Sequence, residues 1–251
     1  MDVQATEKHI VAWIRKQAQD AGCKGVVVGL SGGIDSAVVG ALCKKAFPDN
    51  TLGVILPCMS NPDDRKHAEM VAKKFNIPIE IVDIEPAFKA MAKALTGKEH
   101  DKEKHKGIEF ANIKPRLRMT ALYHFANKHN YLVAGTDNKS EAMIGYFTKY
   151  GDGGVDILPI TSLFKRDVRK LAKHLGVPDE IITKHPSAGL WDGQTDEGEM
   201  GITYDELDEI LHRIDTGKSL ERIDHAKVEK VKMMIEKSEH KRQLPPGCIL
   251  E

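Results

Sequence analysis

The segment Gly29-Leu30-Ser31-Gly32-Gly33-Ile34-Asp35-Ser36 gathers adjacent glycines, two hydroxyls and a carboxylate in one short loop. Adjacent glycines let a backbone approach an anion closely. N–H groups at a helix start point at such an anion, and the helix dipole favours its charge. Ser31 and Ser36 add hydroxyl donors. Asp35 would repel a bare phosphate, but it fits if it holds Mg²⁺ that bridges phosphate oxygens. The loop has no lysine and does not fit GxxxxGK[ST], so it is not a Walker A loop. A glycine-rich turn without a ligand is the alternative. A place after a strand and before a helix, together with Asp35, favours phosphate.

The elements that must position this loop alternate between strands and helices. Val26-Val27-Val28 is short and β-branched, as a buried strand is. Thr51–Leu56, Ile77–Ile84 and Tyr131–Ala134 have the same character, and the last ends at Gly135. Helices are expected after Asp35, over Asp63–Phe75 and over Ile108–Lys128. Ile10, Ile14 and Ala18 mark an opening amphipathic helix. This alternation predicts an α/β fold, an open parallel sheet covered by helices on both faces. Beyond Thr136 the strand signal fades. Phe164–Leu175 is amphipathic and stops at Gly176-Val177-Pro178, while Thr203 and Glu206 form a capping box. Trp191–Gly201 is polar and glycine-rich, which suggests a mobile loop. Gly97–Gly107 is a charge run carrying His100 and His105, and a solvated loop suits it better than a metal site.

Composition sets limits. In 251 residues, Lys+Arg and Asp+Glu both number 37 and cancel, which argues against a global electrostatic grip on nucleic acid. No run approaches the roughly 20 apolar residues a membrane helix needs, and the opening MDVQATEKHIVAWIRKQ lacks a signal peptide's apolar stretch. Cys23, Cys43, Cys58 and Cys248 form no CxxC pair, which suits a reducing cytoplasm. A lone Cys58 after a strand is more often a small buried residue than a nucleophile.

The loop SGGIDS resembles the SGGxDS loop of the N-type ATP pyrophosphatases, which split ATP between its α- and β-phosphates and adenylate a substrate oxygen. Three later stretches narrow the resemblance to NAD synthetases. They are Gly135-Thr136-Asp137-Asn138-Lys139-Ser140-Glu141, Gly145 through Asp156, and Pro186-Ser187-Ala188-Gly189-Leu190-Trp191 followed by Gly193-Gln194-Thr195-Asp196-Glu197. His240-Lys241-Arg242 agrees with them. The resemblance runs from the first strand to the end. It implies an adenine nucleotide alpha-hydrolase-like, Rossmann-like fold in a homodimer. It also implies a single domain over 1–251, with a nucleotide core at about 20–190 and a C-terminal helical segment at about 200–251. Ile34 stands where many bacterial relatives carry Gln. An apolar side chain there can pack inward without changing the cradle.

The resemblance distributes roles. Gly29 to Ser36, Thr136, Lys165 and Ser187 would contact ATP, and Asp35 and Glu141 would hold Mg²⁺. Arg116, Lys149, Asp156, His240 and Lys241 would bind nicotinate adenine dinucleotide (deamido-NAD). Three of them have a plainer reading. Glu141 could face a helix dipole, Ser187 could satisfy its own backbone, and Lys241-Arg242 could be a solvated tail. Lys165 opens a helix, where a cation needs a compensating anion; ATP phosphates would supply it. The implied reaction makes NAD, AMP and pyrophosphate through an acyl adenylate that ammonia attacks. Ammonium must first lose a proton. Asp152, between Gly151 and Gly153, is the candidate to bind it or accept that proton, and an Asx turn is the alternative. Lys165 would stabilise the leaving pyrophosphate. The motifs begin near residue 29, so the chain has no room for a glutamine amidase domain; a separate amidase partner stays open. The rival is another N-type ATP pyrophosphatase, a tRNA-modifying or GMP synthetase-like enzyme. It should show a basic face or paired cysteines.

Overall fold

The structure is a computed structural model and describes residues 1–99, 101, 107–191 and 193–249. His100 and His105 of the charge run lie outside the described residues, as does Asp192. The chain opens with helix α1 (Val3–Asp20), where the Asp2 carboxylate accepts from the Gln4 and Ala5 N–H groups at 3.0 and 3.1 Å. Ile10, Val11, Ile14 and Ala18 form its buried stripe. There follow β1 (Gly25–Gly29), α2 (Ile34–Ala46), β2 (Thr51–Ile55), α3 (Pro62–Phe75), β3 (Ile79–Ile81) and α4 (Glu85–Thr96). Next come α5 (Ile108–Ala111), α6 (Ile113–His129), β4 (Tyr131–Ala134) and α7 (Lys139–Ile144). The chain continues with α8 (Lys165–Leu175), α9 (Asp179–Thr183), α10 (Asp196–Met200), α11 (Tyr204–Thr216) and α12 (His225–Lys237).

The strands pair in parallel in the order β3-β2-β1-β4. β1 is internal, with Val26 opposite Thr51 on one side and Leu132 on the other. Successive side chains of a strand point to opposite faces, and β1 follows this rule. Val26 and Val28 pack with Ile14, Val38, Leu42 and Leu171 of α1, α2 and α8. Val27 packs on the other face with Val54, Val133, Phe88 of α4 and Phe125 of α6. A further apolar cluster joins Ile144, Phe164, Tyr204, Leu207, Leu211 and Val231 from α7, α11, α12 and the start of α8.

Three expectations need correction. The strand over Ile77–Ile84 shrinks to Ile79–Ile81, because Pro78 has no N–H to give and β3 has one neighbour only. The single helix over Ile108–Lys128 is two, α5 and α6. Pro115 cannot bond the carbonyl four residues back, and the chain turns at Asn112. Trp191–Gly201 contains α10, capped by the Thr195 side chain on the Gly198 N–H, and it buries Gln194 and Asp196. Helix α4 had no counterpart in the sequence reading. Gly151–Asp156 brings Ile157 into a parallel bridge with Ala134, beyond the point where the strand signal fades. Cys58 is a buried core residue. Ile34 packs into the core as its apolar side chain requires.

Candidate active site at the carboxyl edge of the sheet

β1 lies between β2 and β4, so chain connections leave it toward both sides. Ligands of open α/β sheets gather at such a switch, beyond the carboxyl ends of the strands. The glycine loop follows β1 there, and Gly135-Thr136 follows β4. Gly32 takes φ +79°, and an added Cβ would lie 2.2 Å from the Asp64 carbonyl oxygen, so both angle and space call for glycine. Ser36 Oγ donates to the Gly33 carbonyl at 2.9 Å and accepts from the Ser31 N–H at 3.2 Å. Ser31 Oγ donates to Ser36 Oγ at 3.0 Å and accepts from the Gly33 N–H at 3.2 Å. The loop is therefore held in shape by its own hydrogen bonds. Gly33 starts α2 with no side-chain cap, which leaves the first N–H groups of the helix for an anion.

Asp35, Glu141 and Lys165 come together although they lie on three different helices. Lys165 Nζ sits 2.5 Å from Asp35 Oδ2 and 3.0 Å from Glu141 Oε1, and its side chain is only 2% exposed. Burial alone would push the ammonium down; the two carboxylates override this and hold it above the ordinary lysine range. Burial is also the largest influence on Glu141. With help from the Asp35 charge it lifts that carboxyl to about 7, against the opposing pull of Lys165. These carboxylates are anions that compensate Lys165 at its helix start. Asp208 assists: its Oδ2 accepts the Arg166 N–H at 2.8 Å, while Ser140 Oγ accepts the Lys165 N–H at 3.0 Å and donates to Asp208 Oδ1.

Asn138 completes this centre and was not foreseen. Its Nδ2 donates to Asp35 Oδ1 at 3.0 Å, and its Oδ1 accepts the Glu141 N–H at 3.1 Å. The Glu141 side chain returns to the Asn138 N–H, which makes a capping box. The spacing Asn138-x-x-Glu141 was the available signal. Two converging carboxylates suit Mg²⁺, a hard cation that keeps waters and phosphates as its other ligands. Among the described residues no group of three or more His, Cys, Asp or Glu forms a fuller cage.

A second group forms near the C-terminus. Lys149 Nζ donates to the His240 carbonyl, and Arg116 lies 3.5 Å from the Lys149 carbonyl. Lys241 Nζ donates to the Gly145 and Phe147 carbonyls at 2.8 and 2.9 Å, so the sequence's basic tail is docked rather than free. Arg242 joins it on the Met143 carbonyl at 2.9 Å. Asp156 stands apart, with its carboxylate taken by the Tyr123 hydroxyl at 2.9 Å and the Val133 N–H at 2.8 Å. Asp152 accepts the Thr148 N–H at 3.0 Å. Lost hydration pushes its carboxyl up against the pull of that N–H and of Arg118, and the exposed surface the residue keeps moderates the shift. Thr136 is half-buried beside the loop. Ser187 is exposed, and its Oγ accepts the Gly189 N–H at 3.1 Å, the local turn that serine favours.

With this geometry in place, known proteins give a consistent comparison. The NAD synthase family pattern matches residues 6–245. An NH3-dependent NAD+ synthetase of Carboxydothermus hydrogenoformans is 51% identical over 244 residues, 96% of each chain. The solved NMN synthetase of Francisella tularensis superposes with a TM-score of 0.90 at 37% identity, covering 100% of both chains. The NH3-dependent NAD synthetase of Campylobacter jejuni, solved with nitrate ion, gives 0.83 at 31% identity with the same coverage. Sequence and fold agree over the whole length, and the chain belongs to the NAD synthase family.

Proposed function

We propose that this chain converts deamido-NAD, ATP and ammonia to NAD, AMP and pyrophosphate. The observation that carries the reading is the convergence of Asp35 and Glu141 on Lys165 beside the hydrogen-bonded glycine loop. A carboxylate is a poor acyl donor, so it must first exchange its oxygen for a better leaving group. Attack of the nicotinate carboxylate on the α-phosphorus forms an acyl adenylate and releases pyrophosphate. Ammonia then attacks the acyl carbon and AMP leaves.

The chain's residues divide this work. N–H groups from Gly29 to Ser36, with the Ser31 and Ser36 hydroxyls, hold the phosphates in line. Thr136 and Ser187 flank the nucleotide, and Lys165 supplies positive charge to the leaving oxygens. Asp35 and Glu141 would hold Mg²⁺, which would neutralise phosphate charge during transfer. Arg116, Lys149 and Lys241 offer the cations a dinucleotide pyrophosphate needs, with His240 beside Lys149, and Asp156 would contact the same substrate. Asp152 would bind ammonium and take its proton. The chain would act as one domain in a homodimer. No helix among the described residues is long and apolar enough to cross a membrane. The free thiols of Cys43 and Cys58, both buried, support a reducing cytoplasm as the setting of the reaction.

A second reading follows from the superposition on the Francisella enzyme, in which the product would be the mononucleotide NMN. Pyrophosphate release with deamido-NAD, nicotinate mononucleotide and unrelated carboxylates tests both. Deamido-NAD is expected to give the highest kcat/KM. Preference for the mononucleotide would replace the first reading with the second, and activity with neither would refute both.

A further inference from the structure

Tyr204 lies at the start of α11, fully buried, and its hydroxyl meets two carboxylates. It is 2.8 Å from Glu141 Oε1 and 3.0 Å from Asp196 Oδ2. Lys165 Nζ stands 4.7 Å from the centre of its ring, so ring and hydroxyl both touch the Asp35–Glu141–Lys165 centre. Packing does not require the hydroxyl, since phenylalanine would fill the same apolar cluster of Leu207, Leu211 and Val231. A buried phenol between two carboxylates costs stability unless its hydrogen bonds are made.

From Asp196 the bonds continue into the loop that carries Ser187. Asp196 Oδ1 is 3.2 Å from the Tyr146 hydroxyl, which lies 2.7 Å from Glu199 Oε2. Gln194 donates to that same Glu199 oxygen at 2.7 Å and accepts the Leu190 N–H at 2.8 Å. The Asp196 N–H closes the loop on the Pro186 carbonyl at 3.0 Å. Pro186 is thus fastened to Asp196 directly, Leu190 and Gln194 are fastened to it through Glu199 and Tyr146, and Asp196 is fastened to Glu141 through one hydroxyl.

We propose that Tyr204 is a positioning residue that couples cation binding at Glu141 to the ordering of the loop 186–196. The proposal rests on the reading of Glu141 as a metal carboxylate. A phenol has one proton and donates to one acceptor at a time. Without a cation, Glu141 and Asp196 share it. A divalent cation that draws on the Glu141 oxygens weakens them as acceptors and leaves the proton to Asp196, which tightens the loop over the nucleotide. The coupling is reciprocal: a loop held closed turns the phenol away from Glu141 and frees that carboxylate for the cation.

The test compares the wild type with Tyr204→Phe, Asp196→Leu and Glu141→Gln. Mn²⁺ binding is measured by calorimetry with a non-hydrolysable ATP analogue, and hydrogen exchange is followed in peptides covering residues 186–196. Wild type should bind Mn²⁺ and slow its exchange on loading. Tyr204→Phe, with no phenol left to occupy Glu141, should bind Mn²⁺ at least as tightly as wild type and lose most of that slowing. Asp196→Leu, which leaves the phenol to Glu141 alone, should lose the slowing and bind Mn²⁺ more weakly. Weakened affinity in Tyr204→Phe, or normal loop protection in that variant, overturns the proposal. If Tyr204→Phe fails to fold, normal protection in Asp196→Leu overturns it. A Glu141→Gln variant that binds Mn²⁺ as wild type does refutes the metal reading itself, which separates the two failures.

Discussion

Two interiors meet at the end of β1. Below the strand, Val26, Val28, Ile14, Val38 and Leu42 form a dry, apolar core, and the buried Thr51 hydroxyl beside it is satisfied by the Cys43 and Phe47 carbonyls. Beyond its carboxyl end, the space between α7, α8 and α11 encloses Lys165, Ser140, Asp196, Asp208 and the Tyr204 hydroxyl, nearly all out of solvent. The first interior holds the fold together through apolar burial. The second gains little: buried ion pairs lose most of their attraction to desolvation. It stands because each member is matched, and no buried side-chain nitrogen or oxygen among the described residues lacks a partner. The chain therefore concentrates stability in one place and chemistry in an adjoining one, and α2 and α8 belong to both. Substitutions should separate the two roles.

The largest effect is expected from Lys165→Met. It leaves Asp35 and Glu141 facing each other without a cation, and breaking a buried pair this way costs about 3–5 kcal/mol. Activity should fall about 10³-fold or more, since a phosphate-facing cation is lost as well. Urea unfolding with and without Mg²⁺ checks the stability arm. A divalent cation should restore part of it by taking the place of the ammonium. Unchanged stability would show that the polar interior carries no strain that Lys165 relieves.

Leu42→Ala probes the other interior. Leu42 is fully buried on α2, the helix that the glycine loop opens. Truncation there costs about 2–5 kcal/mol, set by how far the cavity collapses. At a temperature where the variant stays folded, kcat/KM for deamido-NAD should remain near wild type. A matching loss of activity would mean that the dry core tunes the cradle, and the division of labour would fail.

This division also decides what the sequence reveals. Val26-Val27-Val28 and Tyr131–Ala134 announce themselves by β-branching and length, and Thr203 with Glu206 marks the start of α11. Each of those signals is local. The glycine loop is local too, so Gly32 and Asp35 could be singled out from spacing alone. The polar interior is not local. Asp35 meets Asn138 and Lys165 across more than 100 residues, and nothing near Tyr204 in the chain hints at Glu141. The roles of Glu141 and Lys165 came from family resemblance, while the contacts of Asn138 with Asp35 and of Tyr204 with Glu141 needed coordinates. The break at Asn112 was missed because helical periodicity passes smoothly across Pro115, whose missing N–H leaves no mark in an apolar pattern.

Asp152→Asn sharpens the picture within the site. Asp152 is bonded to the Thr148 N–H, which asparagine can still satisfy. The phosphate cradle should be unaffected, so pyrophosphate should appear in a single turnover at near the wild-type rate. Conversion to NAD should slow by about 10²-fold, the usual worth of a positioned base, and higher pH should rescue part of it by supplying free ammonia. Asp35→Asn should do the reverse and suppress pyrophosphate release itself. Rapid-quench measurement of both products distinguishes them. Loss of pyrophosphate release in Asp152→Asn would move that residue into substrate or metal binding.

The smallest effect belongs to the rim of the dry core. Glu7 on α1 reaches Lys45 of α2 at 2.7 Å and His174 of α8 at 2.8 Å, fastening together the three helices that cover one face of the sheet. Burial would push its carboxyl up, but the hydrogen bonds and charges of Lys45 and His174 prevail and hold it below the ordinary value of 4.5. A depressed carboxyl stabilises the folded state at pH above its unfolded value, and that contribution disappears as pH falls through the folded value. Glu7→Gln should therefore cost at most about 1 kcal/mol near neutral pH, as partly exposed ion pairs do. The difference from wild type should shrink with added salt, begin to narrow as the pH drops below the ordinary value of 4.5, and vanish once the pH is below the lower folded value. Paired urea curves across pH and ionic strength give the answer. A deficit that persists in acid would mean that Glu7 acts through packing and hydrogen bonding rather than charge, and the rim of the dry core would then need no electrostatic account.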